Sequence, residues 1–494
     1  MKFDRGASLF AGMGLRGVLG TVSLVALTAT VGLSMQTSGA NATTCLLDSN
    51  NNGVADNAVD TDGGAVSNSN NNNLACGNAA NAVANQTVAL GTNSNASGNA
   101  DTAVGFNSNA SGTFSVAVGN SSNASGLAST AVGANSSATG SFATALGELA
   151  NAAGNLSSAI GSNSSAAGGN STAVGVLSNA AGTNSSALGV GANAAAANST
   201  ALGTGASAAG ASATAVGQAA SAAGVNSTAV GQASSAAGAE STALGDAASA
   251  AGANSTAVGQ GSSAAGASAT AVGENSSAAG ANSTALGQSA NAAGSESTAL
   301  GDNANAAGAN SVAIGQGSNA TGAQSVALGE NSSAAGSNST AIGQSSNAGN
   351  ANSAAFGQGA TTTRDNQQVF GTANNTYTMR GIASDASRAA QQGPVELVTS
   401  DANGNLATDG GRIFDELDDL EEGVAMAMAL PGVGFLPDGK AGAVNASFGA
   451  YKGSFAVAGS AAFKLNENIQ LDGGVAIGLD SGDIGGRGGV TFAW

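Results

Sequence analysis

Histidine is absent from this 494-residue chain, and Lys and Arg together number 11 against 29 Asp and Glu. With no imidazole, no side chain ordinarily titrates near neutral pH, which argues against acid–base catalysis. Cations are missing altogether between Thr43 and Thr363. Nucleic acids and sulfated polymers are held by clustered cations and counterion release, so they are excluded as ligands of that stretch. No group of carboxylates or cations recurs at neighbouring positions there either, so neither an enzyme nor a cofactor is expected. Aromatics make up 3% and prolines number 3, so whatever packs here packs small residues.

What is abundant is glycine, 77 residues, and it is placed by rule. From Leu90-Gly91 through Val132-Gly133 to Phe356-Gly357, an aliphatic or aromatic residue followed by glycine recurs every 14 positions without insertion or deletion. A fixed period of this length dictates a stacked solenoid whose core is one rung copied about twenty times. A second glycine falls midway, at Gly98, Gly112 and Gly126, with Ala196 and Asn350 as exceptions. Two glycines per unit suit two corners, leaving two strands of roughly four or five residues. Helix is opposed by the glycines and by the Ser, Asn and Thr between them.

Alternation in Ser129-Thr130-Ala131-Val132-Gly133 sends Ala131 to one face and Thr130 with Val132 to the other. A rung so rich in alanine buries little apolar area, so a lone chain is marginal. The stripe of one Val, Leu or Ile per rung is expected to meet the same stripe on partner chains. At about 4.8 Å per rung, some twenty rungs extend about 100 Å.

Residues 1–42 read as a signal peptide, with Lys2, Arg5 and Arg16 before an apolar run and Ala40-Asn41-Ala42 as a cleavage site. Residues 43–84 form an Asn/Asp-rich cap holding both cysteines, Cys45 and Cys76. Export favours a disulfide between them, with free thiols or an interchain bridge as alternatives. Asp48, Asn50, Asn52 and Asp56 around Gly53 follow the spacing of a calcium loop, but Val59 stands where a bidentate Glu belongs. An ordinary polar loop is the competing reading.

Repeats span 85–363, and a neck or connector follows over 364–411. Across 412–430, Ile413, Leu417, Leu420, Val424 and Ala427 recur at spacings of four and three, a short helical seam. Residues 431–494 switch to period two. Val444, Phe448, Phe455, Val457, Phe463, Ile469, Leu471, Val475, Ile477, Val490, Phe492 and Trp494 supply apolar rows expected to face lipid. Four strands cannot close a barrel and open edges are not tolerated in lipid, so closure requires copies of the chain, and three copies give about twelve strands.

A signal peptide, Ser-Thr-Ala-aliphatic-Gly 14-mers, a neck, a short coil and four terminal strands together resemble the trimeric autotransporter adhesins. The resemblance implies a mainly β homotrimer: a left-handed parallel β-roll head and a 12-stranded outer-membrane β-barrel anchor through which the passenger is exported. It further implies contact with outer-membrane lipid and the barrel assembly machinery, a head exposed on the cell surface, and attachment to a host matrix protein, cell or surface, or to other bacteria. Asn198, Ser199, Asn226, Ser227, Asn254 and Ser255 mark the Ser/Asn side of the rungs as a candidate adhesive ladder, through which many weak contacts add. A purely structural coat, or an ice- or crystal-binding solenoid built on the threonine row, are the rival readings.

Overall fold

The computed structural model describes residues 43–44, 64–67 and 72–494. They fall in two units, one ending at Asn375 and one beginning at Thr376. Residues 1–42, Cys45 and the calcium candidates Asp48, Asn50, Asn52 and Asp56 lie outside the described residues.

Each rung of the first unit contributes a three-residue strand such as Thr130–Val132 and a two-residue strand such as Ser137–Ala138. These are shorter than the four or five residues expected, because the corners Gly133–Ser136 and Thr139–Ala143 consume the rest. The three-residue strands stack in parallel and in register, Thr130 beside Thr144, Ala131 beside Ala145, Val132 beside Leu146, forming one sheet of 23 strands. The two-residue strands form a second ladder, from Val66–Ser67 to Asn347–Ala348. The rungs therefore overrun the 85–363 span at both ends. Val66–Ser67 pairs with Asn81–Ala82, and Phe370 pairs with Phe356, their rings stacked at 5.1 Å.

Between the two ladders lies a core of methyl groups. Ala131 and Ala138, one per half-rung, are fully buried, as are their counterparts along the solenoid. Serines complete the filling. Ser136 Oγ donates to the Gly133 carbonyl at 2.8 Å, closing the turn that precedes its strand.

The backbone has a shorter period than the side chains. From Asn72 to Asn366 every seventh residue is left-handed, whether it is Asn135 (φ 55°), Phe142 (φ 60°), Leu149 (φ 57°) or Glu240 (φ 57°). For a non-glycine residue this conformation costs roughly 1–2 kcal/mol. From Asn93 to Asn366 an inter-rung hydrogen bond offsets it at each corner: Asn135 N–H donates to the Asn120 carbonyl at 2.7 Å, and Phe142 N–H to that of Leu127 at 2.6 Å. The rung is thus two conformationally equivalent halves.

Glycine is required where the next rung sits too close. At Gly217, φ is +131°, and a Cβ would lie 2.7 Å from the carbonyl carbon of Gly231. The second-corner glycines, such as Gly224, carry no positive φ, and it is this position that Ala196 and Asn350 occupy.

In the second unit, Asp401 organises a hairpin of Val398–Ser400 with Leu406–Thr408, accepting from the N–H groups of Asn403 and Asn405 at 2.8 and 2.9 Å. Asp409 then accepts from Ile413 N–H at 2.9 Å and Gly411 N–H at 3.1 Å. These donors, Ile413 first, hold its carboxyl below the usual range, as suits a carboxylate at a helix start. The helix runs Arg412–Ala429. Four antiparallel strands follow as a meander: Gly442–Tyr451, Ser454–Asn466, Ile469–Gly478 and Ile484–Phe492.

Candidate functional site: the rung surfaces and the terminal meander

Three surfaces of the head are distinct. Outside the three-residue sheet, Thr and aliphatic side chains alternate, with Leu146, Leu202 and Leu286 exposed. Outside the two-residue ladder runs a row of asparagines whose amides bond along the stack: Asn81 to Asn95, Asn95 to Asn109 and Asn109 to Asn123 at 2.7, 2.7 and 2.8 Å. The corners form the third surface.

The expected adhesive ladder divides between surface and core. Asn198, Asn226 and Asn254 sit exposed at left-handed corners. Ser199, Ser227 and Ser255 are fully buried, and their hydroxyls donate to Ala196, Gly224 and Gly252 carbonyls at 2.6, 2.7 and 2.6 Å. Those three serines therefore belong to the core and not to the exposed side expected of them. A left-handed residue reverses the alternation that a continuous strand would show, so the residue after it turns inward.

The corners also hold residues that the sequence reading left unremarked. Phe114, Leu127, Phe142 and Leu156 stand exposed on successive rungs of one edge. From Gln218 onward the other edge carries Gln and acids instead, with Gln288 donating to Glu274 at 3.3 Å and Gln344 to Glu330 at 3.1 Å. A seven-residue search for bulky residues would have found the first group, because Phe114, Phe142 and Leu156 are all at left-handed positions. One buried carboxylate, Asp101, replaces the usual serine and accepts from Gly98 N–H and Ser115 N–H, each at 2.7 Å. Burial pushes its carboxyl above the usual range despite those donors.

In the second unit the two faces of the meander separate cleanly. Val444, Phe448, Phe463, Val475, Ile484 and Phe492 are exposed on one face, Val444 at 86%. Phe455, Val457, Leu471, Ile477, Val490 and Trp494 are exposed as well, whereas Ile469 is half-buried. Phe448 and Phe455 stack at 5.7 Å across the first hairpin. On the other face Ala456, Ala458, Ala462 and Ala476 are buried, and the helix rests there through Ala425 and Ala429. Gly449 admits it, since a Cβ would meet the Ala429 nitrogen at 2.7 Å. Glu422, 2% exposed, accepts from Asp480 N–H at 2.7 Å and Ser481 N–H at 3.0 Å, fastening the helix to the last hairpin.

The expected helical seam faces largely away from this sheet, with Val424 half-buried. Ile413, Leu417 and Leu420 are exposed, and at 3.6 residues per turn they fall on the side opposite Glu422, Ala425 and Ala429. The outer strands, Gly442–Tyr451 and Ile484–Phe492, each have one unpaired edge. No helix among the described residues is long and apolar enough to cross a membrane, which says nothing of strands.

Comparison with known proteins bears on the repeats. The family model of the YadA head domain repeat (2 copies) matches ten successive stretches from residue 74 to residue 346, together more than half of the chain. Among solved structures, the collagen-binding domain of the Yersinia adhesin YadA is 23% identical over 48% of this chain and 84% of its own, with a TM-score of 0.15. No curated protein matches. With rungs, left-handed corners and terminal meander in place, the chain belongs to the trimeric autotransporter adhesin family.

Proposed function

We propose that three copies of this chain assemble into a surface fibre anchored in the outer membrane, export their own heads and attach the cell to a host matrix protein, another surface or one another. One observation carries the reading: a four-stranded sheet with an apolar outer face, an alanine-lined inner face occupied by its own helix, and two open edges. Open edges are not tolerated in lipid, and three copies joined edge to edge make a closed wall of about twelve strands. The exposed seam of Ile413, Leu417 and Leu420 then meets its equivalents on the axis, and the aliphatic stripe of the head does the same. Barrel assembly machinery and outer-membrane lipid are the partners this implies.

Adhesion is assigned to the head edges, where Asn198, Asn226 and Asn254 alternate with Ser212 and Glu240, and Phe114, Phe142 and Leu156 form an apolar run. Identical weak contacts repeated along three edges add through effective concentration. The test displays the full chain on a bacterial surface and measures aggregation and binding to a panel of matrix proteins, collagen included, and inert surfaces. Saturable binding or aggregation that purified heads compete away is expected. Display without either leaves only a structural coat.

A further inference from the structure

Between the helix and the first strand, residues 430–441 form a strap without regular structure. It crosses the same face of the sheet that the helix occupies, but at the other end. The helix covers the part beside Gly449 and Gly478. The strap covers the part beside Lys464, Gln470 and Arg487.

Gln470 is fully buried, accepts from Leu436 N–H at 2.8 Å, and donates through Nε2 to the carbonyls of Val433 and Gly434 at 3.2 and 3.3 Å. Lys464 Nζ donates to the Leu436 carbonyl at 3.2 Å and lies 4.8 Å from the centre of the Phe435 ring. Arg487 pairs with Asp472 at 2.8 Å and donates to the Leu430 carbonyl at 3.3 Å. Leu436 is 5% exposed. Thus three side chains from three different strands grip the strap by its backbone. A segment held in this way can leave and return without breaking any strand ladder. A buried glutamine whose three polar contacts all lie on one segment is poorly satisfied once that segment departs.

We propose that the strap is a resealing gate: drawn aside while the chain passes through the closed wall, it docks back on Gln470 and covers the mouth that the helix leaves open. This rests on the export reading above, under which a conduit wide enough for a polypeptide must afterwards be closed. The helix, clamped by Glu422, closes one end, and the strap closes the other.

Full-length trimers carrying Gln470→Ala are compared with wild type in planar bilayers, alongside vancomycin sensitivity of the expressing cells. Open probability is expected to rise on the order of tenfold, as loss of several hydrogen bonds implies, with heat-resistant trimers and head display unchanged. Lys464→Met serves where Gln470→Ala yields no trimer, with the same expectation. A cysteine pair, Gly434→Cys with Gln470→Cys, is expected to be tight when oxidised and leaky when reduced. Wild-type permeability in a trimeric variant overturns the gate, as does a leak that persists in the oxidised pair. Wild-type protein that forms neither trimer nor conduit overturns the export reading instead.

Discussion

Gly217 and Gly224 stand at the two corners of one rung but are not equivalent. Gly217 combines a φ of +131° with the carbonyl of the next rung pressed where a Cβ would go, whereas Gly224 has the close neighbour without the positive φ. Gly217→Ala is therefore expected to lower head stability by more than the roughly 1–3 kcal/mol of a strained backbone. Gly205 has φ +66° and open space around it, the setting that Asn occupies elsewhere, so Gly205→Asn should stay within about 0.5 kcal/mol of wild type. Urea unfolding of purified heads separates the two. Asp101 provides a pH signature at the same scale. Its carboxyl is raised by burial, so the folded head binds its proton more tightly than the unfolded chain does. That contribution is present in acid and is lost as pH climbs above the ordinary carboxylate value. Asn73, at the equivalent position, accepts from Thr87 N–H and donates to the Ala82 carbonyl, both at 3.0 Å, so Asp101→Asn has a ready arrangement. The urea midpoint of wild type, relative to Asp101→Asn, should fall as pH rises from about 4 toward neutrality, where an ordinary carboxylate is already ionised. A difference that stays flat would remove the role given to burial.

The helix Arg412–Ala429 is the element whose two faces do different work. Leu417→Asp with Leu420→Asp places charge on the exposed seam and leaves the Ala425–Ala429 packing on the sheet untouched. Loss of heat-resistant trimers is expected, with the meander still folded by circular dichroism, while Asp418→Asn, off the seam, should have no effect. The apolar side of the helix was readable from its spacing, and so were the four terminal strands, because period two and a spacing of three to four each leave a direct imprint on which residues are apolar. The other side of the helix was not readable. Glu422 is an acid in an acidic run, and only the fold brings the Asp480 and Ser481 amides to it. The strap was hidden for the same reason, since Gln470 belongs to no pattern. In the head, the 14-residue register and the buried alanines were legible, but the seven-residue backbone period was not. Asn135, Phe142, Leu149 and Glu240 share one conformation without sharing chemistry, because an inter-rung hydrogen bond imposes it. Missing that turn is what put Ser199, Ser227 and Ser255 on the wrong side.

For the whole molecule, the coexistence of a seven-residue backbone period with a 14-residue side-chain period separates folding of one chain from assembly of three. Removing residues 218–231 deletes one full rung. Corners, buried alanines and the aliphatic stripe all rejoin in phase, and the head shortens by about 5 Å. Removing residues 218–224 deletes half a rung. Gly217 is then followed by Val225-Asn226-Ser227, so a left-handed asparagine and a buried serine still arrive where the corner needs them. Thr228-Ala229-Val230 still offers Ala229 to the core, but from the opposite sheet. Beyond the junction every aliphatic residue lies on the face that carried the Asn and Ser row, and the stripe breaks in two. The 14-residue deletion should keep heat-resistant trimers and surface display. The seven-residue deletion should keep β structure by circular dichroism while purified heads lose their trimeric mass by light scattering. Trimers that survive the half-rung deletion would mean that the aliphatic stripe is not where the heads meet.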